Sequence, residues 1–358
     1  MRKRRLAISL WLLFVAGGAA QQAQAPAGLG TWSSLKPLYE PVSNNAVASL
    51  HQGKRTFLFS FLGIGPKKTW DAITAEASSF DTLSGEWARL PPVPGQAGRL
   101  AAAAAGVNDR VYLFGGYTVD AQGDEVSLPN VDIFDLKARG WRRGEDIPVP
   151  VDDMVVGVYR NRYVYLVSGW SQKDSVRNVQ VYDTEKNRWL EATPIPGTPV
   201  FGHAGALAGD TIVYVGGAFR NPGGTNPRYV PSHEAWMGKI DPKDLTRITW
   251  TKIPGPPTRA RYRIAAGAFG HRIVFSGGTD NPYNYDGRGY DGRPSEPVAT
   301  TFAWNLDSGG WELLPDNPFP AMDHRGLATT REGLALVGGM EAGQKVSNRL
   351  SLLRITAR

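Results

Sequence analysis

The amino-acid sequence predicts an all-β fold, a six-bladed β-propeller whose ring is closed by the N-terminal strand joining the last blade. A unit of short apolar strands recurs along the chain, and tryptophans mark its copies at spacings of 48 to 61 residues. The 42 glycines and 26 prolines favour many short strands and tight turns over helices. The six tryptophans are Trp32, Trp87, Trp141, Trp189, Trp250 and Trp311.

The second copy of the unit shows its parts most clearly. Residues 101–107 and 111–114 have the character of two strands, and the second of these ends in a pair of glycines. A loop leads to an alternating third strand at 131–135, and Trp141 follows on the fourth. The second strand is apolar throughout because neighbouring blades cover both of its faces. The glycine pair permits backbone geometry that a side chain would forbid.

The ends of the repeat predict how the ring closes. The first copy has a broken glycine pair, interpreted as Gly63 and Gly65, and the last copy stops before its tryptophan. Trp32, in turn, precedes any set of strands of its own. We therefore expect the strand around Trp32 to be the fourth strand of the last blade, which leaves no unpaired sheet edge there. A ring of seven blades would need a seventh glycine-ended strand, and we find none in the sequence.

The first residues have the pattern of a secretory signal. A basic stretch at 1–5 precedes an apolar run at 6–16 and then small residues, so we predict a signal peptide over residues 1–25. Cleavage after Ala20 and cleavage after Ala25 both satisfy the small-residue rule. The apolar run is shorter than the ~20 residues of a spanning helix. We expect a periplasmic or secreted protein, free of the membrane after cleavage, with residues 26–358 as one propeller domain.

Composition narrows the function classes. The formal charge is +7, but four of the 40 basic residues lie in the first five positions, so the rest is nearly balanced. This balance argues against a nucleic-acid or membrane-surface partner. The chain has no cysteine, which excludes disulfides and thiolate chemistry. Its five histidines are widely separated and form no zinc motif, so we expect no metal and no cofactor.

Polar side chains precede the first strand of each blade, in what we call the leading segments. Since the first strands line the central channel of a propeller, these side chains should converge on one channel mouth and form a small-ligand site. The same residues could instead cap turns and exchange hydrogen bonds between blades. The leading segments contain Asn44-Asn45, Arg99, Asp152-Asp153, Phe201-Gly202-His203, Arg261-Tyr262-Arg263 and Asp323-His324-Arg325.

The loops joining second and third strands are long in blades two, four and five, and in compact folds such loops are usually functional. Their tyrosine, Asp, Asn and Arg content suits a sugar, whose ring stacks on aromatic faces and whose hydroxyls need polar partners. From these loops we predict ligand contacts by Arg220, Arg228, Asn284 and Tyr285. The oxygen-rich segment 279–293 could hold calcium, although Asn-Pro and Asp-Gly pairs favour successive Asx turns.

The glycine-ended strand and the spaced tryptophans resemble Kelch propellers over nearly all of residues 29–358. The chain is similar to bacterial exported Kelch proteins, which include the sialic acid mutarotases (N-acetylneuraminate epimerases). That resemblance implies opening and closing of a hemiketal ring, which needs an acid/base group and a cation for the substrate carboxylate. In that family a carboxylate–arginine pair in one blade loop carries the chemistry, and the local analogue is Glu234 with Arg220 or Arg228.

Residues of the leading segments could supply the same chemistry. Asp153, or Asp323 with His324, are alternative acid/base groups. Arg261 or Arg263 would then clamp the anion. Arg99, His203, Tyr262 and Arg325 complete the predicted ligand contacts in the ring, and no catalytic role is predicted for them.

Two other classes of Kelch propeller are copper oxidases and protein-binding modules. Galactose oxidases also use Kelch propellers, but their copper site depends on a tyrosine cross-linked to cysteine, which this chain lacks. If the chain is an enzyme, we therefore expect a mutarotase- or epimerase-like isomerase and not a copper oxidase. The alternative is a non-catalytic propeller that binds a protein or peptide through aromatic side chains of the same face. The ring of charges favours a small ligand, and we expect a carbohydrate.

Overall fold

The computed structural model describes residues 29–95, 98–259 and 261–356, and these form six four-stranded antiparallel sheets. The predicted all-β, six-bladed propeller is confirmed. Within the described residues the helical segments are two short 3-10 turns, Trp70–Ala72 and Ala342–Gln344. The predicted signal peptide, residues 1–25, lies outside the described residues.

The strands follow one another in blade order, with a small hairpin between the second and third strands of four blades. The N-terminal strand is β1 (Gly30–Leu35). Blade one contains β2 (Ala46–Gln52), β3 (Arg55–Phe61), β4 (Ala77–Asp81) and β5 (Glu86–Arg89). Blade two contains β6 (Ala103–Val107), β7 (Arg110–Phe114), the hairpin β8 (Tyr117–Val119) and β9 (Glu125–Ser127), then β10 (Val131–Asp135) and β11 (Gly140–Arg143). Blade three contains β12 (Val155–Tyr159), β13 (Tyr163–Val167), the hairpin β14 (Trp170–Ser171) and β15 (Asp174–Ser175), then β16 (Val179–Asp183) and β17 (Arg188–Ala192).

The second half of the ring repeats this plan. Blade four contains β18 (Ala204–Ala208), β19 (Thr211–Val215), the hairpin β20 (Ala218–Arg220) and β21 (Tyr229–Pro231), then β22 (Ala235–Ile240) and β23 (Ile248–Ile253). Blade five contains β24 (Ala265–Phe269), β25 (Arg272–Ser276), β26 (Thr301–Asn305) and β27 (Gly310–Leu314). Blade six contains β28 (Ala328–Thr329), β29 (Gly333–Val337), the hairpin β30 (Met340–Glu341) and β31 (Lys345–Val346), then β32 (Leu350–Ile355).

The N-terminal strand closes the ring, as predicted. Strand β1 pairs antiparallel with β32 from Gly30 opposite Ile355 to Leu35 opposite Leu350. It is therefore the fourth strand of blade six, and the last blade has the same four strands as the others. This pairing removes the free edge that β32 would otherwise present to solvent.

The six tryptophans tie neighbouring blades together. Each indole N–H donates to a backbone carbonyl that follows the fourth strand of the preceding blade, so a large apolar ring packs between blades while its polar atom is satisfied. Phe61 of blade one shows the packing, with its ring centroid 5.6 Å from that of Trp141 of blade two. The six bonds are Trp32 to Pro315 (2.9 Å), Trp87 to Lys36 (2.8 Å), Trp141 to Pro91 (2.9 Å), Trp189 to Glu145 (3.0 Å), Trp250 to Thr193 (3.3 Å) and Trp311 to Pro254 (2.8 Å).

The glycine pairs bring each blade close to the next one. A Cβ on Gly115 would lie 2.0 Å from the carbonyl oxygen of Val151, at the start of the next blade, and its φ is +57°. In blade one the two equivalent left-handed positions are Leu62 (φ 62°) and Gly63 (φ 104°). The interpretation of Gly63 and Gly65 as the split pair was therefore wrong by one position, because a leucine occupies the first left-handed site.

The leading segments and the hairpins lie on one face, as the topology predicts. Each leading segment forms an isolated bridge to the residue three positions after the second strand of the same blade. The bridges are Ser43 with Ile64, Leu100 with Tyr117, Asp152 with Trp170, Phe201 with Ala218, Tyr262 with Thr279 and Met322 with Met340. This hairpin face is where the candidate site lies.

Candidate functional site

The residue after each bridge adopts a left-handed conformation, and these six residues surround the axis. Backbone hydrogen bonds link them from blade to blade, for example from the Gly202 N–H to the Asp153 carbonyl (3.0 Å) and from the Arg263 N–H to the Gly202 carbonyl (2.8 Å). Because the backbone is held in this way, the side chains at these positions are held as well. The six residues are Asn44 (φ 58°), Ala101 (φ 54°), Asp153 (φ 53°), Gly202 (φ 62°), Arg263 (φ 47°) and Asp323 (φ 67°).

A buried ion network, which we call the axial network, occupies this ring. The Arg263 guanidinium donates to Asp153 Oδ2 (2.8 Å) and to Asp323 Oδ1 (3.0 Å), and all three side chains are at most 3% exposed. Asn44 Nδ2 also donates to Asp323 (2.8 Å), and Arg325 forms an ion pair with Asp153. Buried charges are tolerated when they are paired and hydrogen-bonded in this manner.

The surroundings keep Arg263 charged. Burial acts to lower the pKa of Arg263, but Tyr262, Asp323 and neighbouring tyrosines outweigh it and raise that pKa well above its ordinary value. The guanidinium lies 5.2 Å from the ring centroid of Tyr262 and 5.3 Å from that of Tyr283. Arg263 is thus a fixed cation enclosed by two carboxylates and two aromatic rings.

A cavity of about 340 Å³ opens on the hairpin face beside the axial network. Asp153 and Arg263 contribute to its lining from the network. The walls come from the hairpins of blades two, three and four, from the leading segments of blades three and four, and from the long loop of blade five. These wall residues include Tyr117, Glu125, Asp152, Trp170, Gln172, Phe201, Arg228, Tyr229, Asn284 and Tyr290.

Two carboxyl groups of this cavity differ in their surroundings. Burial raises the pKa of Asp152 to about 7, although Ser127 Oγ donates to its carboxylate (2.6 Å) and acts in the opposite direction. Glu125, by contrast, stands at the exposed rim of the cavity. A carboxyl that titrates near neutral pH can give or take a proton under working conditions. The cavity therefore combines acid/base groups with two guanidiniums.

The long loop of blade five crosses over the axis. Tyr283 is fully buried and its carbonyl accepts a hydrogen bond from the Tyr262 hydroxyl (3.2 Å). Tyr290 packs edge-on against Tyr229 of blade four, with ring centroids 4.7 Å apart. Tyr285 packs against the apolar cluster of blades one and two that includes Tyr117. The loop thus contacts both sides of the cavity and shields the network beneath it.

Hydrogen bonds within this loop favour turns over a calcium site. Side-chain oxygens of Asp286 and Asp291 accept backbone N–H groups two residues later, from Arg288 and Arg293, each at 2.9 Å. These are Asx turns, the alternative favoured by the loop composition. Across residues 29–95, 98–259 and 261–356 no group of three or more His, Cys, Asp or Glu is arranged to hold a metal ion.

Several predicted site residues come together at this cavity. Asp153, Arg228, Arg263 and Asn284 line it directly. Arg228 is exposed at the rim, with its guanidinium 5.2 Å from the ring centroid of Tyr229. Tyr262 lies beneath the cavity and is fully buried, and Asp323 lies within the axial network.

Other predicted residues lie elsewhere. Glu234 accepts hydrogen bonds from the Thr198 N–H (3.0 Å) and the Trp236 indole (3.1 Å) and pairs with Lys252, so the structure does not bring it to an arginine. Arg220 pairs with Asp174 on the surface.

Two arginines of the leading segments also turn away from the cavity. The buried Arg99 donates to Asp132 and to the Gly115 carbonyl within blade two. Arg261 donates to the Pro256 carbonyl (3.1 Å). His203, His324 and Arg325 line a second cavity, in the central channel, with the axial network between it and the hairpin face.

Sequence reasoning placed Asp152 in the leading segments without giving it a catalytic role, and it did not single out Glu125 or Tyr117 at all. Asp152 stands beside Asp153 in the leading segment, and the length of the blade-two loop pointed to the region of Glu125. The missing signal was the register of the small hairpin, in which Val119 pairs with Glu125 and Tyr117 with Ser127. That register decides which side chains turn towards the cavity.

Comparison with known proteins defines the class. Residues 52–278 match the family model described as KLHDC2/KLHL20/DRC7 Kelch-repeats domain, so the chain belongs to this Kelch-repeat family. Kelch-like protein terF of Aspergillus terreus is 25% identical over 290 residues, covering 80% of this chain and 58% of the relative. Kelch-like protein 15 of Mus musculus is 23% identical over 237 residues, covering 65% of this chain and 37% of the relative.

A solved structure described as "Structure of YjhT" superposes with a TM-score of 0.71. It is 16% identical and covers 89% of this chain and 96% of that chain, a likeness that establishes the fold alone. The chain spans 58% of the length of the fungal relative and 37% of the murine one. These curated relatives are eukaryotic, so membership of the bacterial exported group stays a prediction. Among the described residues no helix is long and apolar enough to cross a membrane.

Proposed function

We propose that this Kelch propeller binds a small polar ligand, a sugar or sugar acid, in the hairpin-face cavity. One observation carries the proposal: the buried Asp152, with its pKa raised to about 7, shares the cavity with the exposed carboxylate of Glu125 and with Arg228 and Arg263. Perturbed carboxyls in a polar cleft are typical of ligand and catalytic sites. An exported location, periplasmic or secreted, is part of the same proposal and rests on the pattern of residues 1–25.

The chemistry of the walls supports a sugar ligand. Trp170 and Tyr290 are half-buried and offer aromatic surface to a sugar ring, and Asn284 and Gln172 offer amides for its hydroxyl groups. Arg228 is exposed at the rim, where its guanidinium can pair with the carboxylate of a sugar acid. Arg263 is already shared between two aspartates, so it supplies positive potential more than a free binding edge.

The two carboxyls also suit mutarotase- or epimerase-type chemistry. In the opening of a cyclic hemiketal one group removes the proton of the anomeric hydroxyl while another donates a proton to the ring oxygen. Asp152, with its pKa of about 7, is the group best suited to exchange a proton at neutral pH. Glu125 would be the second group. Asp153 is held by two arginines and would position Arg263 instead of exchanging a proton.

A second candidate function is a propeller that binds a protein or peptide on the same face. The observation in its favour is the exposure of two apolar side chains in loops between second and third strands, Trp70 of blade one at 48% and Val126 of blade two at 47%. Exposed aromatic and aliphatic groups are typical anchors of protein interfaces. In this case the partner would cover the rim of the cavity and need not enter it.

A ligand panel separates the two functions. The melting temperature of the protein is measured with neutral sugars, uronic acids, sialic acids and calcium, since a ligand that binds the folded state raises it by mass action. We expect a sugar acid to raise it, and Glu125→Gln or Arg228→Gln to remove the shift. Arg220→Gln is the matched control, because Arg220 lies outside the cavity and pairs with Asp174.

Two outcomes contradict the proposal. One is the absence of any shift across the panel, combined with loss of a captured periplasmic protein when Trp70 is replaced by alanine. The other is a shift that the Glu125 and Arg228 variants retain in full. Catalysis is tested separately by NMR exchange between the anomers of the bound sugar acid, which Asp152→Asn should slow while leaving binding in place.

A further inference from the structure

The charges of the axial network balance one another, so other charged groups decide which ligand the hairpin-face cavity prefers. Arg263 and Arg325 are paired with Asp153 and Asp323 inside the network. Asp152 carries at most part of a charge at neutral pH, because burial raises its pKa to about 7. The other charged side chains in the described lining are all exposed, and they are Asp124, Glu125 and Arg228.

The Glu125 carboxylate stands on the blade-two side of the cavity. Alternate residues of a strand share a face, so Glu125 lies on the same face of β9 as Ser127. The Ser127 hydroxyl donates to Asp152 in the cavity wall (2.6 Å), so this face is turned towards the cavity. Within the described part of the chain Glu125 forms no ion pair and no side-chain hydrogen bond, and its carboxylate is free to bind a cation.

The Arg228 guanidinium stands on the blade-four side. It belongs to the residue just before β21, and it lies 5.2 Å from the ring centroid of Tyr229. Among the described residues Arg228 forms no ion pair and no side-chain hydrogen bond either. Its N–H donors are therefore available for a ligand, and a guanidinium can bind both oxygens of a carboxylate at once.

These two opposite charges come from different sides of the ring. Blade three lies between blades two and four in the order of the blades, and its half-buried Trp170 also lines the cavity. Glu125 and Arg228 do not form an ion pair with each other in the described structure, so a ligand can lie between them. The volume of about 340 Å³ is within the range of small-molecule sites.

A plain sugar acid matches only one side of this arrangement. Its carboxylate can pair with Arg228, but it adds a negative charge to a cavity whose exposed lining already holds two carboxylates, Asp124 and Glu125. Like charges placed together in a binding site are unfavourable. A ligand that carries both an ammonium and a carboxylate adds no net charge and pairs with both sides.

We propose that the ligand of the hairpin-face cavity is an amino sugar acid, whose ammonium pairs with Glu125 and whose carboxylate pairs with Arg228. This proposal rests on the proposed sugar-acid function and narrows it to acids with a free amine. An N-acetylated amine carries no charge and would not pair with Glu125. The proposal concerns binding, and it holds whether or not the bound sugar is turned over.

Calorimetric titration of the full chain with matched sugars tests the pairing. The probes are galactose, galactosamine, galacturonate and galactosaminuronate, which share one ring and differ only in an amine at C2 and a carboxylate at C6. The titrations are made at about pH 6.5, because such an amine loses its proton near about pH 8. We expect galactosaminuronate to bind at least about tenfold more tightly than galacturonate, and N-acetylgalactosaminuronate to lack this gain.

Two variants address the two charges separately, and both change exposed residues. Glu125→Gln should weaken binding of galactosaminuronate more than that of galacturonate, so that the gain from the amine falls to about twofold or less. Arg228→Gln should remove the gain from the carboxylate while galactosamine still binds. Glu145→Gln is the matched control for Glu125→Gln, because Glu145 is an exposed glutamate that follows the outer strand of blade two and does not line the cavity.

The outcomes separate this proposal from the proposed function. If galacturonate binds and the amine adds nothing, or if the gain survives Glu125→Gln, this proposal alone is overturned. If galactosamine binds more tightly than galactosaminuronate, the pairing with Arg228 is wrong. If neither acid binds, the proposed function is overturned and this proposal with it.

Discussion

Replacing Arg263 by methionine tests whether the axial network is a buried structural unit. Methionine retains most of the length of the side chain and, like arginine, is a non-glycine residue at φ +47°, so the backbone contribution is similar. The change leaves Asp153 and Asp323 without their shared cation, although Arg325, Ser43 and Asn44 still contact them. Removing one partner of a buried ion pair costs about 3–5 kcal/mol, and the remaining contacts favour the lower end of that range.

Urea unfolding followed by tryptophan fluorescence measures this loss. For a folded region of roughly 330 residues, an unfolding entropy of about 2.1 cal/mol/K per residue converts 3–5 kcal/mol to a melting-temperature drop of about 4–7 °C. Arg261→Met is the matched control, because Arg261 is half-buried and donates to the Pro256 carbonyl outside the network. Its cost should stay below about 1 kcal/mol.

The double variant Arg263→Met with Asp323→Asn distinguishes the pairing from simple packing. It should be less destabilised than the sum of the two single variants, since no uncompensated carboxylate then remains at Asp323. The reasoning is refuted if Arg263→Met costs no more than Arg261→Met, or if the two substitutions add in full.

Two further predictions follow from the same structure. Burial raises the pKa of Asp152 to about 7, so the native state keeps this proton to higher pH than the unfolded chain does. The free energy of unfolding of the unaltered protein should therefore fall as the pH rises from about 4 to about 7 and then level off. Asp152→Asn should lack this pH-dependent fall. Between pH 4 and pH 8 its free energy of unfolding should therefore gain roughly 2–4 kcal/mol relative to the unaltered protein. Unfolding free energies at the two pH values check this, and a constant difference would contradict it. Trp141→Phe removes the hydrogen bond to the Pro91 carbonyl and part of the contact between blades, so it should lower the unfolding free energy by about 1–2 kcal/mol. Trp70→Phe is the control, because Trp70 is 48% exposed and its replacement should change the unfolding free energy little. Equal effects of the two substitutions would argue against the role given to the inter-blade tryptophans.

The fold could be predicted because its requirements recur six times in the sequence. Each blade needs a large ring with a polar N–H near the next blade, and Trp141 and its counterparts meet that need. The close approach between blades at Gly115 likewise leaves no room for a side chain. In blade one, where Leu62 takes the place of the first glycine, the predicted glycine pair was wrong by only one position. Repetition thus averages out the ambiguity of each single copy.

The candidate site lacks such repetition, so much less of it could be predicted. Arg99 and Arg263 occupy similar places before first strands, yet Arg99 forms a buried ion pair with Asp132 of its own blade. Glu234 resembles a catalytic carboxylate in sequence, but its neighbours in space are Trp236 and Lys252. These partners are set by strand register and by the neighbouring blade, which a single sequence does not contain. The raised pKa of Asp152 arises from burial and is equally invisible there.

Hydrogen–deuterium exchange with saturating galacturonate or N-acetylneuraminate tests the central claim, that the hairpin-face cavity holds a sugar acid. We expect slower exchange in the blade-two hairpin, residues 117–127, and in the blade-five loop, residues 279–293, because both line the cavity. The first strands of the channel should be unaffected. Unchanged exchange with both acids, or protection confined to segments remote from the cavity, would contradict the account.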